Sequence, residues 1–70
     1  MEPSTELWSV PRVAAHLDVG KKRVYNLIHE GRLESLRLSL RGIRVFRRSV
    51  ETYIRERARD ERHRRQRMLE

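Results

Sequence analysis

The apolar residues of this chain keep a helical spacing as far as Ile28 and change to alternation after Leu33. That change of period constrains the fold strongly, because a segment patterned for one buried helix face cannot also present one dry strand face. In the first part, Val10, Val13, Ala14 and Leu17 stand at i, i+3, i+4 and i+7, the stripe of a short helix. Ser9 precedes that stripe as an N-cap whose hydroxyl accepts from a first-turn N–H. Pro11 is tolerated in that turn, and Trp8 and Val13 occupy the positions of a hydrophobic staple. Asp18-Val19-Gly20 then breaks the pattern with a turn-prone acid, an apolar plug and a glycine free to adopt unusual backbone angles.

A second helical stripe, Val24, Leu27 and Ile28, predicts a helix from Lys21 to about Glu30, with Gly31 as its C-terminal stop. Its opposite side presents Lys22, Tyr25, Asn26 and His29. Two short helices joined by so tight a turn form a helix-turn-helix whose second helix carries groove-reading side chains. Beyond it, Leu36, Leu38 and Leu40 alternate with Arg37, Ser39 and Arg41, and Ile43 and Val45 with Arg44 and Phe46. The alternation predicts a hairpin turning near residues 39 to 42, with leucines packed down on the helices and arginines outward, which makes it a basic wing. Ser49 reads as a second N-cap, opening a last helix through Val50, Tyr53, Ile54 and Ala58.

The expected fold class is therefore α+β and mainly helical: a winged helix-turn-helix with a two-stranded β-hairpin wing and a C-terminal helix. Residues 1–6 are expected to be flexible, residues 7–57 to form the domain, and residues 58–70 to be an Arg-rich extension. That extension is either a solvated helix, supported by pairs such as Asp60 with Arg64 and Glu61 with Arg65, or a tail.

Charge follows the same division. Residues 21–48 hold a net +7 while the first twenty sum to −2, so the charge is placed rather than spread. One acidic end and one basic face point to a polyanion, with duplex DNA leading. At 70 residues with 37% apolar content, the core is thin. It supplies roughly 3–5 kcal/mol and leaves no room for a substrate cavity with its supporting shell. The chain has no cysteine, so neither disulfides nor thiolate metal sites enter the argument. His16, His29 and His63 are scattered without partners at metal spacing, and there is no nucleophile–base pattern, no phosphate loop and no pair of acids in a predicted cleft. The expectation is a non-enzyme with no cofactor, metal or small-molecule substrate. No apolar run reaches the roughly 20 residues of a membrane span, and residues 1–6 are acidic rather than signal-like, so a cytoplasmic, nucleoid-associated protein is expected.

The run LWSVPRVAAHLDVGKKRVYNLIHEGRL followed by RVFRRSVETYI resembles the small excisionase-type, MerR-like winged helix-turn-helix family over about residues 7 to 54. A small-residue helix, VAAHL, a three-residue turn, a basic helix with a tyrosine, KKRVYNLI, a GRL break and an arginine-rich junction carry the likeness. The resemblance implies a recognition helix in the major groove and a wing against the adjacent minor groove or backbone. Lys21, Lys22, Arg23, Tyr25 and Asn26 would then face DNA from the helix and Arg41 and Arg44 from the wing; His29 on the same helix face, Arg37 on the hairpin, and Arg47 and Arg48 as backbone contacts are further candidates from the charge pattern. Arg12 stands where the family usually has a capping glutamate, and Gly20 where it usually has Ser or Thr.

Among these residues, Asn26 is the candidate base reader through adenine N6 and N7, and Lys21, Lys22 and Arg23 are candidates for phosphate at a helix N-terminus. Tyr25 either touches phosphate or tucks into the core edge, and Trp8 is expected in the core. The resemblance implies either an excisionase that bends attachment-site DNA and meets an integrase, or a small transcription regulator, with head-to-tail self-association on DNA open to both. A lone 70-residue chain favours the excisionase role or a BldC-like regulator that assembles head to tail. An RNA-binding module or a basic protein-interaction adaptor uses the same charge, although a helix presenting these side chains suits the B-form major groove better than the A-form one.

Overall fold

The computed structural model describes residues 6–40 and 42–69. Most of the expected flexible N-terminus, and Arg41 of the wing, lie outside them. The element order is β1 (Leu7–Ser9), α1 (Val10–Leu17), α2 (Lys21–His29), β2 (Ser35–Ser39), β3 (Gly42–Phe46) and α3 (Arg47–Leu69).

Trp8, Val10, Val13, Ala14, Val24, Leu27, Leu33, Val45 and Val50 form one buried cluster, so both helices, the sheet and the start of α3 meet in a single core. Trp8 is 7% exposed and lies in that core as expected, together with its staple partner Val13. Ser9 caps α1 from an extended backbone, its Oγ accepting from Arg12 N at 3.3 Å. Because a cap residue keeps strand-like angles, the chain leading into α1 is already extended and pairs as β1 with β3.

The sheet therefore has three antiparallel strands in the order β1-β3-β2, rather than the two of a lone hairpin. Trp8 lies opposite Val45 and Leu36 opposite Arg44. A strand of only three residues, LWS, contains too little alternation to be recognised in sequence.

Three further expectations change. The left-handed residue of the inter-helix turn is Asp18 (φ 57), not Gly20, which is extended and caps α2 without a side-chain bond. Asp18 and Val19 N–H groups donate back to the carbonyls of Ala15 and Ala14 at 3.2 and 2.9 Å, and this closure of α1 calls for positive φ at the residue after the helix. Gly31 ends α2 with φ +77, as its position implies.

Of the alternating leucines in β2 and the turn after it, most do not pack down. Leu38 and Leu40 are 61% and 96% exposed, and only Leu36 is partly buried. The register shifts between Arg37 and Ser39 before pairing resumes at Ser39 opposite Gly42, so the strict alternation that would carry Leu38 and Leu40 to the core face is broken there.

Finally, α3 starts at Arg47, two residues ahead of Ser49. The Ser49 hydroxyl lies inside the first turn and donates to Phe46 O at 2.7 Å instead of accepting as a cap. The helix continues to Leu69, so the arginine-rich extension is helical, but neither Asp60–Arg64 nor Glu61–Arg65 closes to ion-pair distance among the described residues. Those side chains are solvated rather than paired.

Candidate nucleic-acid interface

The stripe that buries Val24 and Leu27 turns Lys22, Tyr25, Asn26 and His29 outward, and all four are exposed. Lys21, Lys22 and Arg23 open α2 with no acid in its first turn and no side-chain cap. The unpartnered N–H groups of that turn and the positive end of the helix dipole therefore point the same way as the cations. Tyr25 is 43% exposed, with its ring neither in the core nor free of the domain surface.

Tyr25 borders a cleft of about 190 Å³ whose other walls include Pro11 at the start of α1 and Arg37, Leu40 and Arg44 of the wing. The recognition helix and the wing thus share one continuous face. Arg37 is exposed, while Arg44 is half-buried and donates from Nη1 to the carbonyl of Ile43 at 3.0 Å, which holds its guanidinium along the hairpin. Gly42 is buried in the tight turn, where an added Cβ would lie 3.2 Å from Ser39 Oγ.

The described cations from Arg12 to Arg48 divide into two sets. Arg12, Arg32, Arg47 and Arg48 each meet an acid: Glu6 at 3.8 Å, Glu30 at 3.7 Å, Glu6 at 2.9 Å and Glu34 at 3.5 Å. Arg47 also reaches Glu51 at 3.1 Å, and Arg48 covers the Phe46 ring at 5.2 Å. In contrast, Lys21, Lys22, Arg23, Arg37 and Arg44 have no acid within ion-pair distance among the described residues. Between Arg12 and Arg48 the uncompensated charge therefore collects on α2 and the wing, while a further set of arginines without acid partners among the described residues runs along α3 from Arg55. Arg47 and Arg48, the expected backbone contacts, are already engaged in holding α3 to Glu6 and Glu34.

A larger groove, about 680 Å³, runs between the loop after α2 and α3. It sets Arg32, Arg48 and Arg59 against Glu34, Glu56 and Asp60, a balance unsuited to a polyanion. The other α3 arginines between Arg55 and Arg65 are exposed outside that groove.

Leu40 is a residue of this cleft whose exposure the sequence concealed, because a leucine alternating with arginines looks the same whether its face is covered or bare. Arg12 is a second case. Instead of a capping acid, it places its guanidinium 4.4 Å from the Trp8 ring centroid, while His16 meets that ring edge-on at 4.9 Å. Among the described residues, no helix is long and apolar enough to cross a membrane and no cluster of three potential metal ligands occurs.

A family model described as a helix-turn-helix domain matches residues 9–58, which spans α1, α2, the wing and the first half of α3. No curated protein matches the chain.

Proposed function

This chain belongs to the helix-turn-helix domain family, and from that premise we propose that it is a sequence-specific binder of double-stranded DNA without catalytic activity. The observation that carries the reading is the collection of acid-free cations on α2 and the wing, joined by the cleft between Tyr25, Arg37 and Arg44. In this reading α2 enters the major groove, with Asn26 on a base edge and Lys21, Lys22 and Arg23 on phosphates, and the wing lies on the adjacent minor groove.

The biological role we favour is that of an excisionase, bending attachment-site DNA for an integrase. The projecting α3 supports this, since it offers a long uncovered face to a second protein while the DNA face stays free. A promoter-bound regulator would use the same interface but needs neither a bend nor an integrase.

Selection of bound duplexes from a random pool, at low and near-physiological salt, tests the reading. Enriched short motifs with a marked bend support the architectural role, and an unbent motif supports the regulator. Loss of all affinity as salt rises, with no enrichment, overturns sequence-specific binding.

A further inference from the structure

Leu40 is 96% exposed and Leu38 61% exposed, both on the wing whose Arg37 and Arg44 lack acidic partners among the described residues. Neither leucine joins the core. A bare leucine at a hairpin tip is an association hazard unless something covers it in the working state. The leucine stands beside two arginines on a chain of net charge +7, so a symmetric tip-to-tip contact with a second copy would bring like charge together. A polyanion brings the opposite charge.

Resting on the DNA-binding reading above, we propose that Leu40 is an apolar wedge that enters the minor groove, partly unstacks one base step and bends the duplex. The B-form minor groove is about 6 Å wide, and a two-stranded ribbon with its side chains is wider, so a wing tip that enters must open the groove. Arg37 and Arg44 hold the groove's phosphate walls while the leucine meets sugar and base. Apolar wedges of this kind kink DNA away from the minor groove, toward the side where α2 would lie.

The same geometry adds specificity at a base step that no hydrogen bond reads. Pyrimidine–purine steps unstack most easily, so the wedge favours them. Among these it favours TA, because leucine offers no acceptor to the guanine amino group that projects into the minor groove.

The test uses the full chain and the duplex it selects, with 2-aminopurine placed in turn at each step near the expected wing position and a dye pair on the ends reporting the bend. Leu40→Ser removes the wedge at a residue with no part in the core, and Leu40→Met restores an apolar tip. Wild type is expected to raise 2-aminopurine fluorescence at one step. Leu40→Ser should abolish that rise, remove most of the bend and weaken binding about tenfold, as expected for losing burial of one leucine side chain. Leu40→Met should retain all three.

Tight, sequence-preferring binding with no fluorescence rise at any step overturns the wedge alone, as does a Leu40→Ser variant that bends DNA like wild type. If Leu40→Ser loses only cooperativity between neighbouring copies, with the bend per chain unchanged, the leucine faces protein and the wedge is refuted. If wild type shows no preference among duplexes, the DNA reading fails and the wedge falls with it.

Discussion

Glu6 Oε1 accepts a 2.9 Å hydrogen bond from Arg47 Nη1, joining the residue that enters β1 to the first residue of α3. The backbone repeats the connection, with Arg47 N–H donating to the Glu6 carbonyl at 3.0 Å. The other carboxylate oxygen accepts from Trp8 Nε1 at 2.7 Å. One surface acid therefore satisfies the indole of the core and ties both ends of the domain. The Trp8 bond and then the Arg47 bond, with the charges of Arg47 and Arg12 adding less, hold its carboxyl below the ordinary glutamate range against the opposing effect of desolvation.

That lowered pKa sets a pH dependence. A carboxylate favoured in the folded state contributes stability above its unfolded pKa, near 4.3 for glutamate, and loses it as pH falls through the folded value. Glu6→Gln is expected to lower stability at neutral pH and to flatten the acid limb below about pH 4.3. Denaturant melts of both proteins across pH 2 to 7 check this; parallel acid limbs would show that Glu6 does not contribute.

Asp18 gives a second prediction. It adopts φ 57 without the freedom of glycine, while the bonds closing α1 run through its own N–H and that of Val19. Asp18→Gly should be neutral or stabilising, and Asp18→Ala should cost about 1 kcal/mol, because aspartate tolerates this region better than alanine. Equal melting temperatures for the two variants would mean that the turn has relaxed.

A third concerns the thin core. Leu27 is 1% exposed at the centre of α2's buried stripe, so Leu27→Ala should cost about 2–5 kcal/mol. A domain of this size holds only about 3–5 kcal/mol, and the variant is expected to populate the unfolded state at room temperature. Circular dichroism with urea titration reads the outcome; a loss under about 1 kcal/mol would mean that the core repacks around the gap.

How far the sequence anticipates the structure depends on how much of each signal is local. The α1 stripe from Val10 to Leu17 and the α2 stripe through Val24 and Leu27 repeat the helical period often enough to define themselves, and Ser9 and Gly31 mark their ends. The strand pairing of Trp8 with Val45 is not local, since it depends on where β3 arrives. The bareness of Leu40 follows a register shift between Arg37 and Ser39 that no alternation encodes. Arg47 and Arg48 look like any other basic pair until Glu6 and Glu34 are found beside them. Of the candidate interface, the helix face from Lys22 to His29 was therefore legible residue by residue, whereas the split between neutralised and free arginines required the tertiary fold.

That split makes the last prediction specific. Asn26 lies on the exposed face of α2, where its amide can form two bonds to adenine, and Arg44 lies on the wing without an acidic partner among the described residues. Asn26→Ala should relax preference at one base pair by about 1–3 kcal/mol and leave the salt dependence unchanged. Arg44→Ala should weaken all duplexes alike and reduce the slope of log K against log salt by about one unit. Arg47→Ala, in contrast, removes an ion pair internal to the domain, so it should lower thermal stability with little change in that slope. Binding isotherms for the three variants on the selected site and on a scrambled duplex, each at several salt concentrations, separate these outcomes. If Arg47→Ala lowered the salt slope as much as Arg44→Ala, Arg47 would be a phosphate contact that leaves Glu6 on binding.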